Sequence, residues 1–304
     1  MSYTKTLICV VGPTAIGKTA MGIALAKAFD TEIISADSRQ FYREMRIGTA
    51  VPSEDELASV KHHFIHSLSI FDSYSVGDFE RDAITLLNDL FETKDVVLLV
   101  GGSGLYVDAV VNGMDDLPKV APEFREELKA ELESNGIQAL QAELKAIDPV
   151  AYEAIDLQNK QRLIRALEIY RGTGRPYSDY LQKKNVERNF RTVYIGLTTE
   201  REMVYDRINL RVDKMIDEGL VEEARQLFEY RDLNALQTVG YKELFEWMDG
   251  NLSFEAAVEE IKKNTRRFAK RQGTWYRKNN QIHWFDYGTP SSDILAFLKQ
   301  EKGL

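Results

Sequence analysis

The sequence predicts a three-layer α/β protein, a parallel sheet with helices on both faces, that carries an all-helical insertion. Three observations lead there. Short apolar runs recur at Thr6 to Val11, Glu32 to Ser35 and Val96 to Val100, the last nearly all aliphatic, as expected of strands buried on both faces, and Arg191 to Leu197 reads as another core strand. Helical periodicity fills the spaces between them. From Pro118 to about Lys184 the helical patterns continue but nothing strand-like occurs.

In order, Thr6 to Val11 ends at Gly12 and is followed by an alanine-rich helical stretch from Thr19 to Phe29, giving strand, glycine loop, helix. Glu32 to Ser35 leads into Asp37. Helical stretches around Asp55 to His62 and Asp78 to Thr93 precede the strand Val96 to Val100, which stops at Gly101-Gly102. A further strand is expected at Phe64. The insertion contains helices at Pro122 to Ser134, Ile137 to Ala146 and Lys160 to Arg171. Arg191 to Leu197 returns the chain to the sheet, and amphipathic helices follow at Arg201 to Glu218, Val221 to Tyr230 and Phe254 to about Tyr276.

At roughly 150 residues per domain, 304 residues suggest two domains or one domain with an insertion, and 44% hydrophobic residues suffice for a real core. The division expected is core 1–115, insertion 116–189 and core again 190–304. The single cysteine, Cys9, excludes a disulfide framework and a cysteine-based zinc site. It lies in an apolar run and reads as a small buried hydrophobe. That N-terminal run is far shorter than the roughly 20 residues a spanning helix needs, so a cytoplasmic protein with no membrane partner is expected, and a monomer.

Gly12 to Thr19 reads GPTAIGKT and matches G-x-x-x-x-G-K-S/T between a strand and a helix. In such a loop the N–H groups of Gly12, Pro13-Thr14-Ala15-Ile16 (the proline excepted) and Gly17 turn toward phosphate oxygens at a helix N-terminus, where the dipole also favours anions. Lys18 supplies a point charge, and Thr19 a hydroxyl for Mg²⁺. The loop points to a bound diphosphate or polyphosphate without saying what leaves it. A regulatory GTPase needs Asn-Lys-x-Asp, and Asn159-Lys160-Gln161-Arg162 lacks the aspartate. A motor or helicase needs an acidic residue ending an aliphatic strand, where this chain has Gly101-Gly102-Ser103-Gly104.

Asp37, in the run Asp37-Ser38-Arg39-Gln40, follows the second strand at the edge of the sheet where open α/β folds bind ligands. Its carboxylate suits a general base or an outer partner for Mg²⁺, and equally an N-cap or Asx turn. Ser103 at the same edge either orients a substrate or serves the turn.

The net charge of −9 suggests indifference to polyanions until it is divided by position. Ile261 to Asn280 holds eight basic residues and no acidic one, Gln158 to Arg191 holds nine basic and three acidic, and the rest carries −23. In the first strip Phe254, Val258, Ile261, Phe268 and Trp275 recur at helical spacing as a buried face, with Lys263, Arg267, Lys270 and Arg271 on another side. A solvated helix face normally mixes signs; cations without counter-ions argue for a polyanion touching both strips, which nucleic acid fits better than a metabolite. His62, His63 and His66 lack positioned partners for a metal.

These segments as an ordered set, GPTAIGKT, ISADSRQFYREMRIGTAVP, HHFIHSL, YSVGDF, LLVGGSGLYVDAVVNG, QRLIRALEIYRGTGRP, TVGYKEL and TRRFAKRQGTWYRK, resemble the bacterial tRNA dimethylallyltransferases, also called tRNA isopentenyltransferases, over residues 8 to 285. The resemblance implies a P-loop kinase-like core with a helical insertion that clasps the anticodon stem-loop. It implies transfer of a dimethylallyl group from dimethylallyl diphosphate to the exocyclic amine of the adenine 3′ of the anticodon. By resemblance, Gly12 to Thr19 hold the diphosphate with Mg²⁺ on Thr19, and Arg207 or Arg211 assists. Asp37 accepts the amine proton, with Ser103 and Lys18 also catalytic. Contacts to tRNA fall to Asp37, Ser38, Arg39, Gln40, Ser103, Arg125, Gln161, Arg162, Leu163, Ile164, Arg165, Gly240, Lys242, Lys270, Arg271, Trp275 and Arg277. Two departures stand out: His66 where the family more often has aspartate, and Ser103 where it more often has threonine. A small-molecule or nucleotide kinase shares the loop but has no need of the cationic strips. A non-catalytic RNA-binding ATPase leaves Asp37 and Ser103 idle, and a free-adenylate isopentenyltransferase needs no anticodon clasp.

Overall fold

The computed structural model describes residues 5–181 and 186–304, the side chains of residues 301 and 302 aside. The chain divides into two compact units, one formed by Met1–Asn112 with Glu187–Leu304 and the other by Gly113–Val186. The cut falls a few residues from the expected 116–189.

The larger unit is built on a six-stranded parallel sheet: β1 Thr6–Val11, β2 Ile33–Ser35, β3 His62–His63, β4 Val96–Val100, β5 Arg191–Thr198 and β6 Ile282–Asp286, in the order β3-β2-β4-β1-β5-β6. The aliphatic runs predicted as strands occupy its centre. In β1, Ile8 and Val10 face one apolar layer while Leu7, Cys9 and Val11 face the other, which is why the whole run is apolar. Cys9 is fully buried, and burial pushes its thiol well above the usual range. In chain order the helices are α1 Lys18–Ala28, α2 Glu54–Ser59, α3 Val76–Thr93, α4 Gly104–Asn112, α5 Pro122–Asn135, α6 Ile137–Ile147, α7 Pro149–Ala154, α8 Lys160–Thr173, α9 Arg201–Asp217, α10 Leu220–Leu227, α11 Tyr241–Met248, α12 Phe254–Tyr276 and α13 Ser291–Lys302. Helices α5 to α8 belong to the smaller unit.

Three expectations are corrected. Phe64 is not in a strand: its φ of 60° lies in the left-handed region, and β3 ends at His63. The helix expected to reach His62 stops at Ser59, where Val60 turns extended. On α12 the buried face is Ala257, Ile261, Ala269, Gln272 and Tyr276, whereas Phe268 and Trp275 are 38% and 39% exposed.

The smaller unit packs Leu128, Leu140, Leu144, Ala151, Leu163, Ile164 and Leu167 into one core. Glu168 is 2% exposed there, and Arg125 Nε (2.6 Å) and Arg165 Nη1 (2.6 Å) donate to its carboxylate. Arg171 reaches both Glu131 (2.7 Å) and Glu143 (2.6 Å).

Candidate active site

The phosphate loop leaves β1 at Gly12, whose φ of 145° no other residue adopts at ease and where a Cβ would stand 2.6 Å from the Leu197 carbonyl oxygen. Ala15 takes a left-handed φ of 64°, and Ile16 buries its side chain in the core, so Ile16 offers a ligand only its backbone. Helix α1 starts after Gly17 with no side-chain cap and no acidic residue in its first turn. Its first N–H groups and its dipole are thereby left to an anion.

Cations surround this loop. Lys18 Nζ donates to the Pro13 carbonyl at 2.7 Å. Burial and the nearby Arg211 guanidinium lower the Lys18 ammonium to about 7, with Asp37 opposing the shift. Arg207 Nε donates to the Ala15 carbonyl at 2.7 Å while its guanidinium lies over the Tyr287 ring. Arg211 Nη1 stands 3.4 Å from Thr14 Oγ1, and burial, then Arg207, lowers its pKa. Both arginines therefore reach the loop, and Arg211 also lines the cavity beside it.

That cavity, about 670 Å³, is walled by the loop, Thr19, Asp37, Arg211 and the segment from Arg46 to Ser53. Asp37 Oδ1 accepts the Arg39 N–H at 3.0 Å, so the Asx turn is real. Burial pushes the carboxyl above its usual range, while the Arg39 N–H and Lys18 pull it down. Ser103 lies outside the cavity wall: its Oγ accepts the Ser38 N–H at 3.1 Å, tying the glycine turn to the segment after β2. Gln40 also turns inward, donating to the Thr49 and Ala50 carbonyls at 3.3 and 3.1 Å. Arg39 donates to the Asn234 and Ala235 carbonyls.

Two groups that sequence reasoning missed hold this arrangement. Glu223 on α10 accepts N–H bonds from Arg46 (3.0 Å), Ile47 (2.8 Å) and Gly48 (2.9 Å), and the Tyr241 hydroxyl (2.6 Å). Gln272 on α12 accepts from Thr14 N at 2.8 Å and donates to the Gly102 carbonyl at 2.9 Å. A signal for Gln272 exists in the sequence, since it is an uncharged amide in a cationic strip, spaced with Ala269 and Tyr276 on one helix face.

Several expected RNA contacts are corrected. Leu163 and Ile164 are 0% and 2% exposed, and Gly240 is buried with its N–H on Glu243, so none of the three side faces meets solvent. Arg125 and Arg165 pair with Glu168 but keep part of their side chains at the surface, so their expected contacts are not contradicted. Gln161, Arg162, Lys242, Lys270, Arg271 and Arg277 are exposed, and so is Trp275, against its reading as part of the buried face of α12. The strip on α12 is less uniform than its sequence: Lys262 pairs with Asp213 (2.7 Å) and Lys263 with Glu260 (2.6 Å). Arg267, Lys270, Arg271, Arg277 and Lys278 form no ion pair among the described residues. In the second strip Arg171, Arg175 and Arg188 are also paired, and Lys183 and Lys184 lie outside the described residues.

The family model described as IPP transferase matches residues 40–279. The chain belongs to the IPP transferase family. A tRNA dimethylallyltransferase of Christiangramia forsetii is 56% identical over 295 residues, covering 97% of this chain and 98% of that one, and one of Flavobacterium psychrophilum is 53% identical over 298 residues, covering 96% and 97%. Among solved structures, the Bacillus halodurans tRNA isopentenylpyrophosphate transferase superposes with TM-score 0.71 at 42% identity, covering 98% of this chain and 96% of that one. A eukaryotic dimethylallyltransferase acting on tRNA superposes with TM-score 0.79 at 26% identity, covering 98% of this chain and 77% of that one. The IPP transferase match takes in Asp37's neighbour Gln40, the glycine turn and α12, whereas the phosphate loop precedes it.

Among the described residues no helix is long and apolar enough to cross a membrane, and no cluster of three or more histidine, cysteine or acidic side chains could hold a metal ion. His62 Nδ1 bonds the Val60 carbonyl and His63 Nε2 bonds Glu32 at 2.5 Å.

Proposed function

We propose that this chain transfers a dimethylallyl group from dimethylallyl diphosphate to the exocyclic amine of the adenine immediately 3′ of the anticodon of a tRNA, in the cytoplasm. The observation that carries the assignment is the placement on one cavity wall of a diphosphate loop, with Lys18 and Arg211, and a carboxylate, Asp37.

The reaction forms a bond between the amine nitrogen and the allylic carbon and breaks the bond from that carbon to the diphosphate oxygen. Negative charge builds on the departing diphosphate. The open N–H groups at the start of α1, Lys18 and Arg211 are fixed where that charge develops, so they stabilise the transition state without reorganising. The aryl amine is a weak nucleophile and loses a proton as it attacks, and Asp37 takes that proton. Burial pushes the Asp37 carboxyl above its usual range, which strengthens it as a base, and the Arg39 N–H and Lys18 oppose that shift.

Thr19 and Asp37 supply the hard oxygen donors that Mg²⁺ prefers, with Glu56 and Glu218 also on the cavity wall against one imidazole, His62, and one thioether, Met215, so the donor set fits that ion. Thr19 would hold it. Bound there, Mg²⁺ adds positive charge to the leaving diphosphate.

Adenine must leave its stack to reach Asp37, which costs a few kcal/mol. The exposed, unpaired cations of α12 would offset that through phosphate contacts, with Trp275 beside them, and Gln161 and Arg162 on α8 and Lys242 on α11 add polar contacts. Ser103 orders Ser38 next to Asp37.

Purified chain, Mg²⁺, dimethylallyl diphosphate and tRNA lacking the modification should yield tRNA heavier by one five-carbon unit in intact-mass analysis. No added mass, together with ATP-dependent phosphorylation of a metabolite, overturns the assignment in favour of a kinase.

A further inference from the structure

Gln272 sits on α12 but acts on the phosphate loop. Its side chain is 7% exposed and both ends of its amide are used. Oε1 accepts the Thr14 N–H at 2.8 Å and Nε2 donates to the Gly102 carbonyl at 2.9 Å. The two partners fix the amide's orientation, since an N–H needs an acceptor and a carbonyl needs a donor. There is no room for adjustment: a Cβ on Gly102 would stand 2.3 Å from Nε2.

The Thr14 N–H and the Pro13 carbonyl belong to one planar peptide unit. Gln272 holds the N–H of that unit, and Lys18 Nζ takes its carbonyl at 2.7 Å. Turning the unit breaks both bonds together, so the amide of Gln272 determines where Lys18 rests. One residue to the N-terminal side of Gln272 is Arg271, with Lys270 before it, both exposed and without an ion pair among the described residues. One turn onward, Trp275 Nε1 donates to Asp108 at 2.9 Å and Tyr276 packs beside the Gly101 carbonyl. The helix segment that presents cations outward is the one that grips the glycine turn and the phosphate loop inward.

We propose that Gln272 is a positioning residue that couples the two substrate sites: it ties the Pro13–Thr14 peptide, and through it Lys18, to the helix that meets tRNA. This inference rests on the function proposed above. RNA engaging Lys270 and Arg271 fixes α12, α12 fixes Gln272, and the loop is thereby held ready for a diphosphate. By linkage, a diphosphate in the loop favours RNA binding by the same factor.

The test is the affinity of the full chain for inorganic pyrophosphate in Mg²⁺ buffer, measured by calorimetry with and without saturating anticodon stem-loop RNA. The wild-type protein should bind pyrophosphate at least about fivefold more tightly with the RNA present. In Gln272→Met that ratio should fall to about one while affinity for the RNA alone stays within about twofold, because the lost bonds lie at the loop and not on the RNA face. Gln272→Glu keeps the acceptor for Thr14, so it should bind pyrophosphate more weakly overall yet retain the ratio. A merely structural glutamine would lower stability without changing the ratio. A wild-type ratio of one, an unchanged ratio in Gln272→Met, or a ratio lost in Gln272→Glu overturns the proposal. If Gln272→Met does not fold, Gln272→Asn, whose shorter amide cannot reach both partners, takes its place and should likewise bring the ratio to about one. Failure of prenyl transfer by the wild-type protein removes the proposed function but leaves these ratios measurable, so the two ideas fail separately.

Discussion

Replacing Glu223 by alanine tests whether one carboxylate holds the wall of the substrate cavity. It accepts three backbone N–H groups of the segment from Arg46 to Gly48 and the Tyr241 hydroxyl, all within 3.0 Å. Bonds to a charged acceptor contribute roughly 1.5–3 kcal/mol each and do not add when they share it. The Arg46 amide is exposed and regains its bond from water, whereas those of Ile47 and Gly48 and the Tyr241 hydroxyl are shielded. The expected loss is therefore about 3–5 kcal/mol, a large share of a typical stability of 5–15 kcal/mol. Tyr241→Phe keeps the ring that covers Gly48, where a Cβ would stand 2.5 Å from it, and removes one donor, so it should cost only about 1–2 kcal/mol. Urea unfolding reads both as shifts in midpoint at constant slope. Under folding conditions Glu223→Ala should also raise KM for dimethylallyl diphosphate by about tenfold or more, because the freed segment lines the cavity. A Glu223→Ala loss below about 1 kcal/mol, or a Tyr241→Phe loss equal to it, refutes the reasoning.

Asp37→Asn should lower kcat by about 10²–10⁴-fold with tRNA affinity preserved, as removal of a general base requires. In the wild-type protein log kcat/KM should fall as pH drops through the Asp37 pKa, and that limb should lie above the ordinary carboxylate range because burial raises the group; a pH–rate profile shows it. Lys270→Ala with Arg271→Ala should weaken tRNA binding and reduce the slope of log K against log salt by about 0.7–0.9 per cation that meets a phosphate. Gly104→Ala places a Cβ 2.3 Å from Trp275 Cδ1, so it should cost about 1–3 kcal/mol and change the tryptophan fluorescence as the bond to Asp108 breaks. Glu168→Ala leaves Arg125 and Arg165 without their buried partner and should destabilise the smaller unit by about 3–5 kcal/mol in thermal or urea unfolding.

What the sequence disclosed follows from range. Strands β1 and β4 begin and end where their aliphatic runs do, since a strand buried on both faces has no polar positions to blur it. Strand β6 escaped because Ile282 to Asp286 (IHWFD) lies at the sheet edge, half-exposed and alternating, and β3 because two residues carry no period. Helix α7 has only six residues, and its start, Asp148 accepting the Ala151 N–H with Pro149 next, is visible only as a cap. The phosphate loop was legible for a similar reason: its parts are contiguous. Glu223 and Gln272 were not, because they act on segments 177 and 258 residues away, and a residue's type does not name its distant partner. Leu163 and Ile164 show the opposite failure, in which a motif matched as a block includes the core side chains that hold its helix in place.

The charge on α12 shows how the two levels combine. In the sequence its cations read as one strip, but Lys262 and Lys263 are neutralised by Asp213 and Glu260, and Arg266 is held by Asn209 and lies over the Tyr205 ring. The cations that form no ion pair among the described residues begin at Arg267 and run past the end of α12 to its C-cap residue, Arg277, and Lys278. That end is also where Gln272 fastens to the phosphate loop, Tyr276 to the glycine turn and Trp275 to Asp108 on α4. These cations thus share a stretch of helix with Gln272, which bonds the phosphate loop, on a chain that carries a net charge of −9. An RNA repelled by acidic surface and drawn to this segment is oriented before it makes any base contact. Moving the free cations two turns toward the N-terminus of α12, at constant net charge, should therefore preserve the salt slope of tRNA binding and lower kcat/KM, as steady-state kinetics on the rearranged protein would show.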